Sequence, residues 1–212
     1  MASVLHSHDG YEIYLFLSGE VRINFENSSY IMKHGDMVLI SPYVFHYSMP
    51  LGDSTYNRIV INIKESYMQK NGPTYAHFTD CFYHSDSSRL ESRQTPPPAI
   101  TATFRYIDDH LSESLLLEDI AKQVHLNPVY LTRIFKSYTG MPIQQYIIEK
   151  RITQAKKLLR MGNPPIDVCF LCGFNNYSNF SRTFSKHLKL SPKQHQISTR
   201  ASFSTRSSSE QM

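Results

Sequence analysis

Ile166-Asp167-Val168-Cys169-Phe170-Leu171-Cys172-Gly173-Phe174-Asn175-Asn176-Tyr177-Ser178-Asn179-Phe180-Ser181-Arg182-Thr183-Phe184 reads as a short helix, a tight turn and a second helix. Val168, Cys169 and Cys172 fall at helical spacing on one apolar face. Gly173 can take positive φ and stop that helix. Asn176 then offers a side-chain oxygen to an orphan amide at the start of the next helix. Tyr177, Phe180 and Phe184 recur at i, i+3 and i+7, a stripe that buries. Ser178, Asn179, Arg182 and Ser185 take the opposite face. A small polar face with an arginine, on a helix held by a turn, is the pattern of a DNA-reading helix-turn-helix. A helical hairpin with a solvated face fits the same residues, and this stretch alone leaves both readings open.

A second copy of the form lies upstream. Leu117, Ile120, Ala121 and Val124 make one apolar face, with Ser114 or a near neighbour placed to cap that helix. His125-Leu126 turns the chain, Asn127 caps, and Pro128 takes the first helical position. Tyr130, Leu131, Ile134, Phe135 and Tyr138 then face wholly or partly inward, while Val129, Thr132, Arg133 and Lys136 face out. Leu131-Thr132-Arg133-Ile134-Phe135-Lys136 parallels Phe180-Ser181-Arg182-Thr183-Phe184-Ser185, and a repeat of one motif is far less expected by chance than either copy. Between the copies, Ile143–Met161 carries a helical stripe with Lys150, Arg151, Lys156, Lys157 and Arg160 outside it. Nineteen helical residues span about 28 Å, near the roughly 34 Å between successive major-groove faces. One chain could therefore contact two adjacent groove segments.

Charge supports a polyanionic partner for this half. Residues 99–200 hold 14 Lys and Arg against 7 Asp and Glu, a net +7, whereas residues 1–98 hold 7 against 10, a net −3. Three cysteines, an odd number, argue against a disulfide framework. Cys169 and Cys172, inside an apolar helix with no second ligand pair nearby, read as small core residues rather than as a zinc or redox pair. No run approaches a membrane span and the first ten residues lack the form of a secretory signal, so a cytoplasmic protein is expected.

Residues 6–63 read as short strands: Tyr11–Leu17, Val21–Phe25, Tyr30–Met32, Met37–Ile40, Phe45–Met49 and Tyr56–Ile63, the last with Ile59, Ile61 and Ile63 on one face. Ser18-Gly19 and His34-Gly35-Asp36 supply turns. Such a series predicts an antiparallel barrel or jelly roll. His6, His8 and Glu12 share strand parity and could point into one cavity, with His46 at the start of a later strand. Two or three imidazoles and a carboxylate suit a divalent metal. The spacing resembles the two metal motifs of the cupin superfamily: His6-x-His8-x-x-x-Glu12 followed by Gly19, then Gly35 followed by His46. Regulator-type cupins often keep such residues to bind a small effector or to close the pocket without holding a metal. His6, His8, Glu12 and His46 are accordingly expected to be effector-binding, with no metal and no cofactor.

Residues 100–197 resemble the DNA-binding domain of the AraC-type (arabinose-regulator) family. The resemblance rests on Leu117-x-x-Ile120-Ala121, Tyr130-Leu131-x-Arg133-x-Phe135-Lys136, Gly140, Tyr146, Arg151-Ile152-x-x-Ala155-x-x-Leu158-Leu159, Gly173-Phe174, Phe180-x-Arg182-x-Phe184 and Ser191-Pro192. Many members carry a cupin-like sensing domain in front. The resemblance implies a bacterial transcription regulator, often an activator that works with RNA polymerase. It implies base reading by Val129, Thr132 and Arg133, then by Tyr177, Ser178, Asn179 and Arg182. Lys136 and Lys186 are better placed for phosphates. Members of this architecture commonly form a homodimer through a helical segment between the domains, for which residues 64–98 are short and end in Pro96-Pro97-Pro98. Four residues depart from the family pattern. Cys169 stands for alanine. Lys189 stands for glycine, costing about 1 kcal/mol where positive φ is needed. His195-Gln196 stands for Tyr-Arg, removing a closing packing contact and a basic group.

The expected fold is α+β multidomain. An N-terminal antiparallel β-barrel, cupin-like and shortened, occupies residues 1–63. Residues 64–98 are an irregular segment and Pro-rich linker. An all-α domain with two helix-turn-helix motifs joined by a linker helix occupies 99–198, and a disordered tail 199–212. The expected function is sequence-specific binding of double-stranded DNA under control of a small effector in the barrel, not enzymatic and not at a membrane. The alternative is a cupin-type metalloenzyme using His6, His8, Glu12 and His46.

Overall fold

The computed structural model describes residues 4–52, 55–70, 82, 93–94 and 96–204. The chain forms two packing units, one of residues 1–104 with 133–141 and the other of 105–132 with 142–212.

The first unit is built on β1 (Gly10–Ser18), β2 (Val21–Phe25), β3 (Ser29–Ile31), β4 (Met37–Ile40), β5 (His46–Pro50), β6 (Asn57–Lys64) and β7 (Arg93–Gln94). They form two antiparallel sheets, ordered β4-β1-β6 and β5-β2-β3-β7. The alternation of β1 turns Glu12, Tyr14 and Phe16 inward and leaves Ile13, Leu15 and Leu17 half-buried. Tyr14 and Phe16 pack with Val21, Ile23, Met32, Val38 and Ile40 from both sheets. Each such side chain contributes about 1.5–3 kcal/mol on burial, so this shared core holds the sheets face to face. The predicted strands all form. Ile59 and Ile61 of β6, however, lie on an exposed face, as does Met37 of β4.

The stretch expected to be an irregular linker is partly regular. Glu65–Lys70 is a helix, α1, and β7 pairs with β3 at Ser29↔Gln94 and Tyr30↔Arg93. Pairing there satisfies backbone groups that an edge strand would leave open. Phe82 is buried against Tyr11 and Met68. The other aromatics noted there, apart from the exposed Tyr67, lie outside the described residues. The unit also holds the start of α2 (Pro98–Asp109) and the end of α4 (Pro128–Thr139). Phe104 meets Phe135 edge-on at 5.4 Å, and the Leu5 amide donates to the Thr139 carbonyl at 3.2 Å. The Tyr47 hydroxyl donates to the Tyr138 carbonyl.

The second unit contains α3 (Leu117–Gln123), α5 (Ile143–Arg160), α6 (Pro165–Leu171), α7 (Tyr177–Leu188) and α8 (Pro192–Ser204). Ile152, Ala155 and Leu159 of α5 bury against Val168, Cys169, Cys172, Phe174, Phe180 and Phe184. Both cysteines are free thiols in this core, and the Cys169 thiol donates to the Phe174 carbonyl at 3.7 Å. Four details differ from the sequence reading. Ser114 is not the cap of α3: the chain enters from Leu116 without a side-chain cap, and Glu118 and Asp119 complement the helix N-terminus instead. Tyr130 is exposed rather than inward-facing. The closing contact at 195–196 survives, because His195 meets Phe184 edge-on at 5.5 Å and buried Gln196 donates to the Asn163 carbonyl at 2.7 Å. Finally, α8 runs to Ser204, so residues 199–204 are helical and 205–212 lie outside the described residues. Lys189 takes φ 60°, as its replacement of a glycine predicts.

Candidate nucleic-acid interface and ligand cavity

The two turn motifs are built alike. After α3, His125 takes φ 55°. Its amide donates to Lys122 and the next amide, Leu126, reaches back to the Ala121 carbonyl at 2.9 Å. After α6, Gly173 takes φ 78°. Its amide donates to Phe170 and Phe174 reaches back to Cys169 at 3.0 Å. These paired bonds satisfy carbonyls that a helix end leaves open, with the left-handed residue making the reversal. Each turn then meets an asparagine cap: Asn127 Oδ1 accepts from the Val129 amide and Asn176 Oδ1 from the Asn179 amide, both at 2.8 Å. The second turn is one residue longer, which hid the equivalence of His125 with Gly173 from a reading of spacing alone.

The outward faces carry the predicted residues. On α4, Val129, Arg133 and Lys136 are exposed, and half-buried Thr132 donates its hydroxyl to the Pro128 carbonyl. On α7, Ser178, Asn179, Arg182 and Lys186 are exposed and Tyr177 is half-buried against the core. Not every basic residue of the helical half is outward. Lys150 pairs with Asp108 at 2.7 Å, and Arg151 donates to the carbonyls of Leu111 at 3.1 Å and Glu113 at 2.6 Å. Arg151 is thereby a structural tie between α5 and the segment after α2.

The barrel encloses a cavity of about 240 Å³ whose wall includes His6, Glu12, Tyr14, His46, Tyr47 and Arg58. The structure brings together all four predicted effector residues. His6 and His46 form an antiparallel bridge, each amide donating to the other's carbonyl at 3.1 and 2.9 Å. Ring nitrogens of His6, His8 and His46 lie within 4.8 Å of one another. His8 Nε2 donates to Glu12 Oε2 at 2.9 Å, while His46 Nε2 stands 3.8 Å from the same oxygen. The bond to Glu12 raises the pKa of His8. Burial pushes the Glu12 carboxyl up, but the bond from His8 and the facing imidazoles bring it net below its ordinary value. Burial drives His46 down to about 4, so it is neutral at neutral pH.

Sequence reasoning missed the opposite wall. Tyr14 is turned in beside Glu12, and burial pushes its hydroxyl up to about 12. The Arg58 guanidinium lies 5.4 Å from the Tyr14 ring and 5.0 Å from the Tyr56 ring. Tyr14 shares the parity of Glu12 along β1, a signal available in the sequence. Arg58 reaches the cavity because β6 runs antiparallel to β1 with Arg58 opposite Phe16, a register that the sequence does not state.

Comparison with known proteins places both halves. The family described as "AraC-like ligand binding domain" matches residues 3–125, and the family described as "Helix-turn-helix domain" matches residues 120–196. The regulatory protein PocR of Salmonella typhimurium is 26% identical over 192 residues, covering 86% of this chain and 63% of PocR. The transcriptional activator RhaS of Klebsiella pneumoniae is 29% identical over 108 residues, covering 50% of this chain and 39% of RhaS. The chain thus spans less than two thirds of the length of both. A crystal structure of a transcriptional regulator with an AraC-type DNA-binding domain, from Chromobacterium violaceum, is 27% identical with a TM-score of 0.45, covering 48% of this chain and 92% of that one. Among the described residues no helix is long and apolar enough to cross a membrane. A match over residues 3–125, more than half of the chain, together with the helix-turn-helix match that follows it, establishes that this chain belongs to the AraC family.

Proposed function

We propose that this chain is a sequence-specific DNA-binding transcription regulator controlled by a small polar ligand in the barrel. The observation that carries the reading is the duplicated turn: two helices with the same C-terminal reversal, the same asparagine cap and an outward arginine at the same place. Val129, Thr132 and Arg133 on α4, and Tyr177, Ser178, Asn179 and Arg182 on α7, read bases. Lys136 and Lys186 hold phosphates. Each arginine can engage a guanine edge in bidentate fashion, worth about 1–3 kcal/mol of discrimination. The helical residues 99–198 form the DNA-binding domain, and residues 1–63 with His6, His8, Glu12 and His46 the sensing one. Tyr47 both lines the cavity and donates to the Tyr138 carbonyl at the end of α4, so occupancy of the cavity bears on a helix that carries readers. The protein acts in the cytoplasm, as a homodimer, and its likeness to RhaS favours an activator that engages RNA polymerase.

The test maps bound sites across the host genome, then measures affinity for a mapped site and for random DNA over a salt series. Arg133→Ala and Arg182→Ala, made separately, are each expected to lower specific affinity by about 5- to 150-fold while leaving nonspecific affinity little changed. No preference of the native chain for mapped over random DNA, or a salt-independent affinity, overturns the proposal.

A further inference from the structure

Two side chains in the wall of the barrel cavity each bury a polar atom that has no hydrogen-bond partner: the Tyr14 hydroxyl and His46 Nε2. Tyr14 is 3% exposed and His46 4%. Burying such an atom unpaired is costly, and a ligand that bonds to it removes the cost. The two atoms ask for different partners. Burial pushes the Tyr14 hydroxyl up to about 12, so it keeps its proton and offers a donor. His46 Nδ1 donates to the Val44 carbonyl at 3.0 Å. A carbonyl oxygen only accepts, so Nδ1 holds the single proton of the neutral ring and Nε2 offers a lone pair. Glu12 Oε2, 3.8 Å from that nitrogen, is a second acceptor. Donors and acceptors are set apart along β6, where Asn62 lies opposite Glu12 and Arg58 opposite Phe16. Those four residues of strand span about 13 Å. At the donor end the Arg58 guanidinium lies over the Tyr14 and Tyr56 rings and donates to the Tyr56 hydroxyl, which meets Ser48 Oγ at 3.0 Å. Among the described residues Arg58 has no acidic partner.

We infer that this cavity binds a small hydroxylated monocarboxylate, a hydroxy acid or sugar acid, with its carboxylate on Arg58 and Tyr14 and its hydroxyls donating to His46 and Glu12. The inference rests on reading the cavity as the sensing pocket, and it names the class of ligand sensed there. One unpaired guanidinium matches one carboxylate, whose two oxygens fit the planar fork of its donors. A phosphate ester brings a charge near −2, which one arginine balances only in part, and the Glu12 carboxylate repels a second anionic group at the far end. A neutral polyol could satisfy His46 and Glu12 but would leave Arg58 without a counter-charge. Size sets the upper limit. The cavity of about 240 Å³ holds about eight waters at about 30 Å³ each, room for an acid of about three to six carbons.

The experiment titrates the full chain by calorimetry with matched probes: glycerate against glycerol and propionate, gluconate against sorbitol and hexanoate, and glycerol 3-phosphate. At least one hydroxy acid is expected to bind at least 10-fold more tightly than its polyol and than the acid without hydroxyls. Arg58→Met, at an exposed position, is expected to weaken that acid about 10- to 150-fold and to abolish the preference for acid over polyol. Tyr14→Phe is expected to weaken it about 3- to 10-fold while the ligand-free chain unfolds at the same or a higher temperature, because the hydroxyl has no partner to lose. A merely structural hydroxyl would lower the unfolding temperature and leave affinity alone. The inference is overturned if neither hydroxy acid binds, if the polyol or glycerol 3-phosphate binds as tightly as the acid, or if Arg58→Met binds the acid like the native chain. DNA selectivity measured on the same preparations separates the two readings. Selective DNA binding without acid binding rejects the ligand class and leaves the regulator. Acid binding lost on Arg58→Met in a chain that does not prefer its mapped DNA supports the site and rejects the regulator.

Discussion

Gly173→Ala removes the one residue on which the second turn closes. At φ 78° an alanine pays about 1–2 kcal/mol for the left-handed backbone. A Cβ there would also stand 2.5 Å from the Leu111 carbonyl oxygen, 2.8 Å from Arg151 Nη2 and 2.9 Å from its Cζ. These are the groups of the Arg151 tie, so the guanidinium must leave the carbonyls of Leu111 and Glu113. Hydrogen bonds from a charged donor are worth about 1.5–3 kcal/mol each, and water recovers part of the loss. The sum is a destabilisation of about 3–5 kcal/mol, large for a single methyl group. Gly140→Ala is the matched control. Its φ of 77° is the same, but its Cβ would meet nothing nearer than Val4 at 3.6 Å, so about 1–2 kcal/mol of backbone strain is all that is expected. Urea unfolding of the two variants beside the native chain reads the difference directly. A Gly173→Ala cost equal to that of Gly140→Ala would show that the Arg151 tie contributes nothing and would refute this account of the turn.

The first turn makes the opposite prediction: His125→Gly relieves a left-handed non-glycine residue at the equivalent place and should stabilise the chain by about 1 kcal/mol, with Lys189→Gly doing the same after α7. A loss of stability in both would mean that these side chains make contacts worth more than the strain. Burial raises the Cys169 thiol and pushes Cys172 up to about 12. In a Cys81→Ser background, thiol alkylation at pH 8 should therefore be negligible in the native chain and complete for both cysteines in denaturant. Rapid native modification would contradict the core placement.

The helical half was legible because its signals are local. Asparagine caps, a glycine stop and aromatic stripes at i, i+3 and i+7 act within a few residues, and the duplication supplied an internal check. What local signals could not supply was the use of charge. Arg151 looked like part of a basic surface, yet its guanidinium is bound to two backbone carbonyls some 40 positions earlier in the chain. Likewise Gln196 and His195 looked like losses against the family pattern, yet Gln196 donates to the Asn163 carbonyl and His195 packs edge-on against Phe184. Residue type did not distinguish a solvated arginine from one consumed in packing.

The histidine set shows how a correct grouping can rest on an incomplete reason. Shared strand parity placed His6, His8 and Glu12 together, but β1 begins only at Gly10, so parity positions Glu12 and Tyr14 and not the two histidines. His6 arrives through its bridge to His46, and His8 through a ring bond to Gly10 and another to Glu12. Convergence therefore depends on the path of residues 4–9 across the barrel mouth rather than on the sheet. Backbone bonds that hold this segment include Leu5 to Thr139, His6 to His46, Tyr43 to His8 and Glu65 to Asp9. The Leu5 bond ends on a residue of α4. The segment that carries His6 and His8 is thus joined, through Leu5, to the C-terminal end of α4.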